Sequence, residues 1–219
     1  MQARRRACRC GESRVWVWVI GDYMQLALFD FDHMLTTCDT YARFLRRIAT
    51  QEQLAQAKWS IGPWLLGYRL GLVSAAGIRR RVTHFAFKHG DPATVAAQGE
   101  AYAREALPEL LRPEMMRTIK HHHAQGHEIA IVSGSLDTYL RPWCEQHGLT
   151  LICNQLEIHD GRLTGRYEGG DIGPNKAAAI RAHYDLSRYA RIYAYGDSSE
   201  DRPMLALADE RWYRGRRIA

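Results

Sequence analysis

The sequence predicts an α/β protein with three layers, a Rossmann-like parallel β-sheet covered by helices on both faces. Short apolar runs with the length of buried strands lie at residues 26–30, 128–133, 191–197 and, more weakly, 149–153. Helical periodicity fills residues 113–124, 136–147, 174–184 and 200–208. Strands that alternate with helices favour right-handed βαβ units, and these build a parallel sheet with both faces covered.

One region breaks this alternation. Residues 38–112 carry no convincing strand pattern, and their Ala, Leu, Arg and Gln residues recur at helical spacing. We therefore predict a helical insertion over 38–112, with the core formed by 24–37 and 113–219. Within the second part of the core, Asp160-Gly161 predicts the turn of a β-hairpin.

Composition and charge narrow the class of protein. The chain has 219 residues, of which 46% are hydrophobic and 25% are charged, which excludes a disordered or collagen-like protein. The formal charge of +6 raises the question of nucleic-acid binding. However, residues 1–23 carry +3, residues 211–219 carry +4, and residues 24–210 carry −1. We expect no nucleic-acid partner, and binding through the two basic ends is the alternative.

The N-terminal 23 residues are expected to be a disordered extension, with Met24 as an alternative start. The apolar run Val15–Ile20 is shorter than the 7–15 residues of a signal-peptide core. The five cysteines are scattered and odd in number, which is typical of a reduced, cytoplasmic protein. Cys8 and Cys10 lack the further ligands that would complete a metal site.

Carboxylates gather where predicted strands end. Asp30 and Asp32 follow the first strand, and alternation along an extended chain places both on one side. Asp197 and Asp201 follow the third strand, four residues apart at a helix start. Because the carboxyl ends of parallel strands meet at one edge, these groups converge there and repel one another unless a cation is bound. Oxygen ligands in this number favour Mg²⁺.

Residues that bind a phosphoryl group are expected at the same edge of the sheet. Ser133-Gly134-Ser135 forms a small-residue turn after the second strand, and Lys176 stands near a helix start. A cation, an ammonium group and backbone N–H groups together suit the negative charge of a phosphoryl group.

These residues resemble the four motifs of the haloacid dehalogenase superfamily, subfamily IB, which is similar to phosphoserine phosphatases. The resemblance covers about residues 25–215. The matching segments, in family order, are Asp30-Phe31-Asp32, Ile131-Val132-Ser133-Gly134-Ser135, Lys176 and Gly196-Asp197-Ser198-Ser199-Glu200-Asp201. The resemblance implies that the 38–112 insertion is a helical cap of the C1 type.

The resemblance also implies the roles of the carboxylates. Asp30 would be the nucleophile that forms an aspartyl-phosphate, and Asp32 would be the general acid and then the general base. The Asp30 carboxylate, the Asp32 backbone carbonyl and Asp197 would hold Mg²⁺. Asp201 would lie behind these groups and orient Lys176 or a metal-bound water. The second carboxylate, Asp32, favours a phosphatase over a dehalogenase.

For the remaining site residues, the resemblance implies contacts with the phosphoryl group. The Ser133 hydroxyl and the Gly134 N–H would hold its oxygens, and Lys176 would offset the charge shared with Asp30. One departure concerns the first motif, which in the family continues with Gly-Thr but here reads His33-Met34. Met34 cannot give the hydrogen bond of that Thr, so we expect a looser loop and a lower rate.

Two further patterns have an ordinary structural interpretation. His121, His122 and His123 are expected to be a solvated helix end rather than a metal site. An apolar stretch from Trp59 to Val73, followed by Arg79-Arg80-Arg81, is expected to be an ordinary helical core with a basic face. The alternatives are a surface that meets a lipid or other apolar phosphate, and arginines that bind an acidic substrate group.

The sequence thus predicts a Mg²⁺-dependent phosphomonoesterase whose partner is a small phosphorylated metabolite such as phosphoserine. A lipid-phosphate phosphatase and a phosphotransferase or mutase are the alternatives on the same scaffold. A binding protein with a degraded site is the non-enzymatic alternative, which His33 and Met34 motivate. Contact with a membrane surface ranks below these, and the oligomeric state is left open.

Overall fold

The computed structural model describes residues 24–219. The predictions for the N-terminal extension, its apolar run and the pair Cys8 and Cys10 lie outside the described residues. In the described part, Cys38, Cys144 and Cys153 are free thiols. No helix among residues 24–219 combines the length and the apolar character needed to cross a bilayer.

The described residues form ten α-helices and eight strands. The strands are β1 (Met24–Phe29), β2 (Glu128–Leu136), β3 (Thr150–Asn154), β4 (Leu156–His159), β5 (Arg162–Tyr167), β6 (Tyr189–Gly196), β7 (Glu210–Tyr213) and β8 (Arg216–Ile218). The helices are α1 (Thr40–Ile48), α2 (Gln51–Ser60), α3 (Gly62–Arg69), α4 (Ala75–Phe87), α5 (Pro92–Glu105), α6 (Leu107–Leu110), α7 (Pro113–Ala124), α8 (Asp137–His147), α9 (Lys176–His183) and α10 (Arg202–Leu205).

The main sheet has the order β3-β2-β1-β6-β7-β8, and all its strands are parallel except the edge strand β8. Successive side chains of the central strand β1 face opposite ways. Leu26 and Leu28 pack into one apolar cluster, whereas Ala27 and Phe29 pack into the other. Two cores on the two faces of one sheet make a three-layer α/β/α fold, which confirms the predicted fold class. The predicted β4-β5 hairpin is also present.

The C-terminal hairpin β7-β8 was not predicted, because residues 211–219 were interpreted only as a basic end. Trp212 explains its docking, since its ring stacks on Tyr195 with 4.6 Å between ring centroids. Glu210 pairs with Arg191 at 2.8 Å and with Arg217 at 3.2 Å, which neutralises part of the local charge. The hairpin therefore covers the β6 edge of the parallel sheet.

Helices α1–α6 lie between β1 and β2, and the residues from Thr40 to Leu110 contain no strand of the described fold. A single antiparallel bridge joins Thr36 to Leu111. The Thr37 N–H donates to the Leu110 carbonyl at 2.8 Å, and the Arg112 N–H donates to the Leu35 carbonyl at 2.8 Å. The two ends of the helical stretch therefore lie side by side. The division into a core and a cap of residues 38–112 stays a prediction.

The apolar stretch in this insertion is not an ordinary helical core, contrary to the expectation. Neither α2 nor α3 buries a side chain, although Ile61 between them is buried. Trp59 is 86% exposed and Leu72 is 79% exposed. The sequence pattern predicted the helices correctly but not their environment, because apolar spacing alone does not show whether a partner surface exists.

His122 also departs from the expected solvated helix end, whereas His121 and His123 are exposed. The His122 imidazole is buried between α7 and the sheet. Its Nδ1 lies 2.7 Å from Nδ1 of His127, and its Nε2 lies 2.9 Å from the Tyr195 hydroxyl. These two partners satisfy a neutral ring, and burial together with the neighbouring histidines lowers the pKa of His122 to about 4.

We expect acid to destabilise the protein through His122. Because its folded pKa lies below the ordinary value of 6.5, the unfolded chain binds more protons as the pH falls from 6.5 towards 4. The free energy of unfolding should fall over this range, with a contribution on the order of 1–3 kcal/mol from this group. Urea denaturation of the wild type and of His122→Gln at each pH measures this. The exposed His123→Gln is the control, and an equal acid slope in all three proteins would contradict the assignment.

Candidate active site

A buried ammonium group joins the ends of three chain segments. Lys176, the first residue of α9, donates from Nζ to Oδ1 of Asp30, directly after β1. It also donates to Oδ1 of Asp201 at 2.6 Å, at the end of the 3-10 turn Ser199–Asp201. The side chain of Lys176 is 3% exposed, and that of Asp201 is fully buried. Three residues from distant parts of the sequence therefore meet at the carboxyl edge of the sheet, as the sequence predicted for this edge.

Asp201 is saturated with hydrogen bonds. Its Oδ2 accepts from the Asp197 N–H at 3.0 Å, the Ser198 N–H at 2.8 Å and the Ser198 hydroxyl at 2.8 Å. The backbone of Gly196 approaches it closely, because a Cβ there would lie 2.5 Å from the Asp201 Cβ. A glycine is therefore required before Asp197. Asp201 holds both Lys176 and the loop that carries Asp197.

The charges of this cluster do not balance. Burial raises the pKa of Asp30 to about 8 against the opposing charge of Lys176. Burial and the neighbouring Asp201 raise the pKa of Asp197. Burial also raises the pKa of Asp201, but the Lys176 ammonium and the Ser198 donors outweigh it and keep that pKa low. Three carboxyl groups thus lie near one ammonium, which bonds only to Asp30 and Asp201. These two acids raise the pKa of Lys176 above its usual value despite burial.

This excess of negative charge fits a divalent cation. One oxygen each of Asp30, Asp197 and Asp201 lies within 4.8 Å of the others, and hard oxygen donors are the ligands that Mg²⁺ prefers. Asp201 already uses both oxygens for hydrogen bonds, so Asp30 and Asp197 are the side chains that could hold the ion. The carboxylate of Asp32 lies outside this group, which leaves its backbone carbonyl as the ligand that the resemblance implies.

The Asp32 carboxylate is held by a separate set of donors. Its Oδ1 accepts from the Thr40 N–H at 2.6 Å and from the Thr40 hydroxyl, and its Oδ2 accepts from the Ser135 hydroxyl. Burial raises the pKa of Asp32, and the nearby Asp39 adds to this effect. A raised pKa moves this carboxyl group towards the protonated form that a general acid requires, although the Ser135 and Thr40 donors act in the opposite direction.

The Ser133-Gly134 segment lies within β2, at a break in the pairing with β3, rather than in the predicted turn after the strand, and Asn154 positions it from behind. The amide of Asn154, at the end of β3, donates to the Gly134 carbonyl at 2.7 Å. Ser133 is buried, and its hydroxyl accepts from the Ser135 N–H at 3.1 Å. A Cβ at Gly134 would lie 3.2 Å from the guanidinium carbon of Arg79, so a side chain there would require Arg79 to shift.

That guanidinium links the helical insertion to the core. Arg79 extends from α4, and its Nε donates to Asp171 at 3.0 Å. Its terminal nitrogen donates to both oxygens of Glu200 at 3.1 Å. Asp171 in turn accepts from Asn154 at 3.1 Å. Arg79 is therefore connected to the Gly134 carbonyl through the side chains of Asp171 and Asn154.

Sequence reasoning missed Thr40, Asn154 and Asp171, and considered Arg79 only as a contact for an acidic substrate group. Asn154 could have been found, because it directly follows the predicted strand 149–153, at the edge where the other polar groups converge. Nothing in the spacing indicates Thr40 or Asp171.

The loop after Asp32 contains the two departures from the family motif. His33 has a left-handed backbone with φ of 58°, which explains why glycine suits this position. Met34 is buried in the apolar core rather than facing a polar partner. The Thr36 hydroxyl instead donates to the Phe31 carbonyl at 3.2 Å and to the Cys38 carbonyl at 2.8 Å. These bonds fasten the loop that the sequence led us to expect to be looser.

Comparison with known proteins identifies the family. The family model for haloacid dehalogenase-like hydrolases matches residues 27–206, which include every residue of the site. The chain belongs to the haloacid dehalogenase-like hydrolases. The predicted superfamily and the prediction of a hydrolase are confirmed.

Similarities to individual proteins extend the comparison. The chain is similar to Protein CicA of Caulobacter vibrioides, with 31% identity over 214 residues that cover 92% of this chain and 91% of the relative. It is similar to phosphoserine phosphatase SerB2 of Mycobacterium tuberculosis, with 30% identity over 84% of this chain and 42% of the relative. A crystal structure of a Bordetella pertussis protein with unknown function has a TM-score of 0.74 at 26% identity, covering 86% of this chain and 88% of that one.

We expect His33→Gly to stabilise the protein by about 0.5–1 kcal/mol, because glycine adopts a positive φ without the steric cost of a Cβ. Thermal and urea denaturation measure the change. His84→Gly, at an exposed position in the last turn of α4, is the matched control and should destabilise by up to about 1 kcal/mol. A loss of stability in both variants would show that the His33 backbone is not strained.

Proposed function

We propose that this hydrolase is a Mg²⁺-dependent phosphomonoesterase that uses Asp30 as its nucleophile. The observation that carries the proposal is the Lys176 ammonium shared by Asp30 and Asp201 beside a carboxylate excess. Such a site attracts a cation and, with the cation bound, a phosphoryl dianion. The similarity to SerB2, a phosphoserine phosphatase, supports the same class of reaction.

In the first step, an Asp30 carboxylate oxygen attacks phosphorus and the bond from phosphorus to the ester oxygen breaks. The leaving oxygen takes the proton of the Asp32 carboxyl group. The raised pKa of Asp32 supports this role, and Thr40 and Ser135 fix the direction of its carboxyl group. The product of this step is an aspartyl-phosphate on Asp30 and a free alcohol.

In the second step, water attacks the phosphorus of the aspartyl-phosphate while the Asp32 carboxylate accepts a proton from it. The bond between phosphorus and Asp30 breaks, which releases inorganic phosphate and restores both carboxyl groups to their starting states. Lys176 offsets the charge on Asp30 in both steps, and Asp201 keeps the ammonium in place.

Asp30, the Asp32 carbonyl and Asp197 would hold Mg²⁺, which supplies charge neutralisation for the phosphoryl oxygens when bound. Ser133 and the Gly134 N–H would bind the same oxygens. Arg79 would close the insertion over the site through Asp171 and Glu200, and thereby limit the access of bulk water. We propose a small phosphorylated metabolite such as phosphoserine as the substrate class, in line with the SerB2 similarity.

The first test is hydrolysis of p-nitrophenyl phosphate with and without Mg²⁺. Wild-type protein should release p-nitrophenol and an equal amount of inorganic phosphate, and EDTA should abolish this. Asp30→Asn should lower kcat by at least about 10³-fold, because it removes the nucleophile. The variant should still fold, since Lys176 keeps its bond to Asp201. Asp160→Asn, at an exposed hairpin turn, is the matched control. Full turnover by Asp30→Asn would refute the assignment.

A second test concerns Arg79. Arg79→Ala leaves Asp171 and Glu200 without their shared cation, so kcat/KM should fall by about 10- to 100-fold. Arg79→Lys should lose less, because it keeps the charge but not the fork that reaches both acids. Arg80→Ala, at the adjacent exposed position, should leave kcat/KM unchanged. Equal kcat/KM values for Arg79→Ala and Arg80→Ala would show that this contact has no part in the reaction.

A further inference from the structure

Exposed apolar side chains are concentrated in one short segment of the insertion. Of the ten large hydrophobic residues that are exposed in the described part of the chain, seven lie within residues 59–72. We call these seven the tip surface: Trp59, Trp64, Leu65, Leu66, Tyr68, Leu70 and Leu72. A contiguous exposed apolar segment of this kind is unusual for a surface that meets only water.

The tip surface lies in a strongly basic part of the chain. Residues 40–89 contain nine Lys and Arg residues and one acid, Glu52, whereas residues 90–210 carry a net charge of −6. Lys58, Arg69 and Arg80 are exposed in and around the tip surface. None of these three has an acidic partner among the described residues. Their charge is therefore free to act on a partner.

The tip surface is also anchored to a helix that reaches the active site. The Arg81 guanidinium of α4 lies 3.5 Å from the centre of the Trp64 ring. Two residues earlier, Arg79 of the same helix forms the ion pairs with Asp171 and Glu200. Helix α4 thus contacts the tip surface through Arg81 and the active site through Arg79.

We propose that the tip surface docks on an anionic lipid membrane surface. Four leucines gain free energy in the acyl region, while tryptophan, tyrosine and cationic side chains favour the headgroup level. A second copy of the chain would place two basic surfaces face to face. A nucleic acid would satisfy the charges but leave the leucines without an apolar partner. The inference concerns only this surface and does not depend on the proposed reaction.

The test is co-sedimentation of the full chain with vesicles. Vesicles of phosphatidylcholine with phosphatidylglycerol should bind the protein, and phosphatidylcholine alone should bind it about tenfold more weakly. The triple variant Leu66→Ser/Leu70→Ser/Leu72→Ser should lower binding to the anionic vesicles by at least about tenfold. Ile158→Ser, at an exposed apolar position on β4, is the matched control and should bind as the wild type does.

Charge is tested separately. Lys58→Glu/Arg69→Glu should abolish most of the preference for anionic vesicles. The control Arg181→Glu/Arg188→Glu makes the same change of charge at exposed positions outside the insertion and should keep the preference. All tip variants should hydrolyse p-nitrophenyl phosphate normally without vesicles, so a failure of docking is distinguishable from a failure of the proposed function.

Several results would overturn the proposal. One is an absence of binding to anionic vesicles, and another is equal binding by wild type and the leucine variant. Loss of vesicle binding only on removal of residues 1–23 would assign the contact to that segment. Conversion of a dimer to a monomer by the leucine variant, seen by size-exclusion chromatography with light scattering, would show a self-association surface. Binding of single-stranded RNA but not of vesicles would assign the surface to nucleic acid.

Discussion

The rest of the site depends on the Lys176 ammonium between two carboxylates. A buried ammonium without partners costs several kcal/mol, so Lys176 can be buried only because Asp30 and Asp201 face it. The same bonds fix the end of β1, the start of α9 and the turn after β6 relative to one another. The protein thereby keeps the proposed nucleophile Asp30, the loop that carries Asp197 and an ammonium group in one buried volume, and the remaining excess of negative charge suits a divalent ion.

The parts of this site that were predictable follow from topology. Parallel strands bring their carboxyl ends to one edge, so short apolar runs ending in polar residues predicted that Asp30, Asp32, Ser133 and Asp197 would meet. The fold class followed from the same runs. Lys176 and Asp201 needed the family motifs as well, because a lysine or aspartate at a helix start has many ordinary explanations. Thr40 and Asp171, which position these groups, gave no signal of their own, because their roles depend on hydrogen bonds to Asp32 and to Arg79 that no spacing or periodicity encodes.

Three errors share a physical cause, which is that residue type does not determine environment. A run of histidines suggests a solvated helix end, but His122 is buried, because His127 and Tyr195 give both nitrogens of its neutral ring a hydrogen-bond partner. The arginines of residues 211–219 suggested a tail, but Trp212 stacks on Tyr195 and orders a hairpin. The apolar stretch in the insertion suggested a core, but the chain supplies no surface to cover α2 and α3 in its described part.

The positive charge of residues 40–89 indicates which kind of partner the tip surface could contact. Residues 40–89 are basic, and Arg79 is the residue through which this segment forms specific ion pairs with Asp171 and Glu200. The unpaired cations and the seven apolar side chains of the tip surface remain exposed in the described fold, apart from the contact of Trp64 with Arg81. Burial of the leucines would release water only against an apolar partner, and the cations require that partner to be anionic. An anionic lipid surface meets both requirements, and it does so beside the helix that carries Arg79.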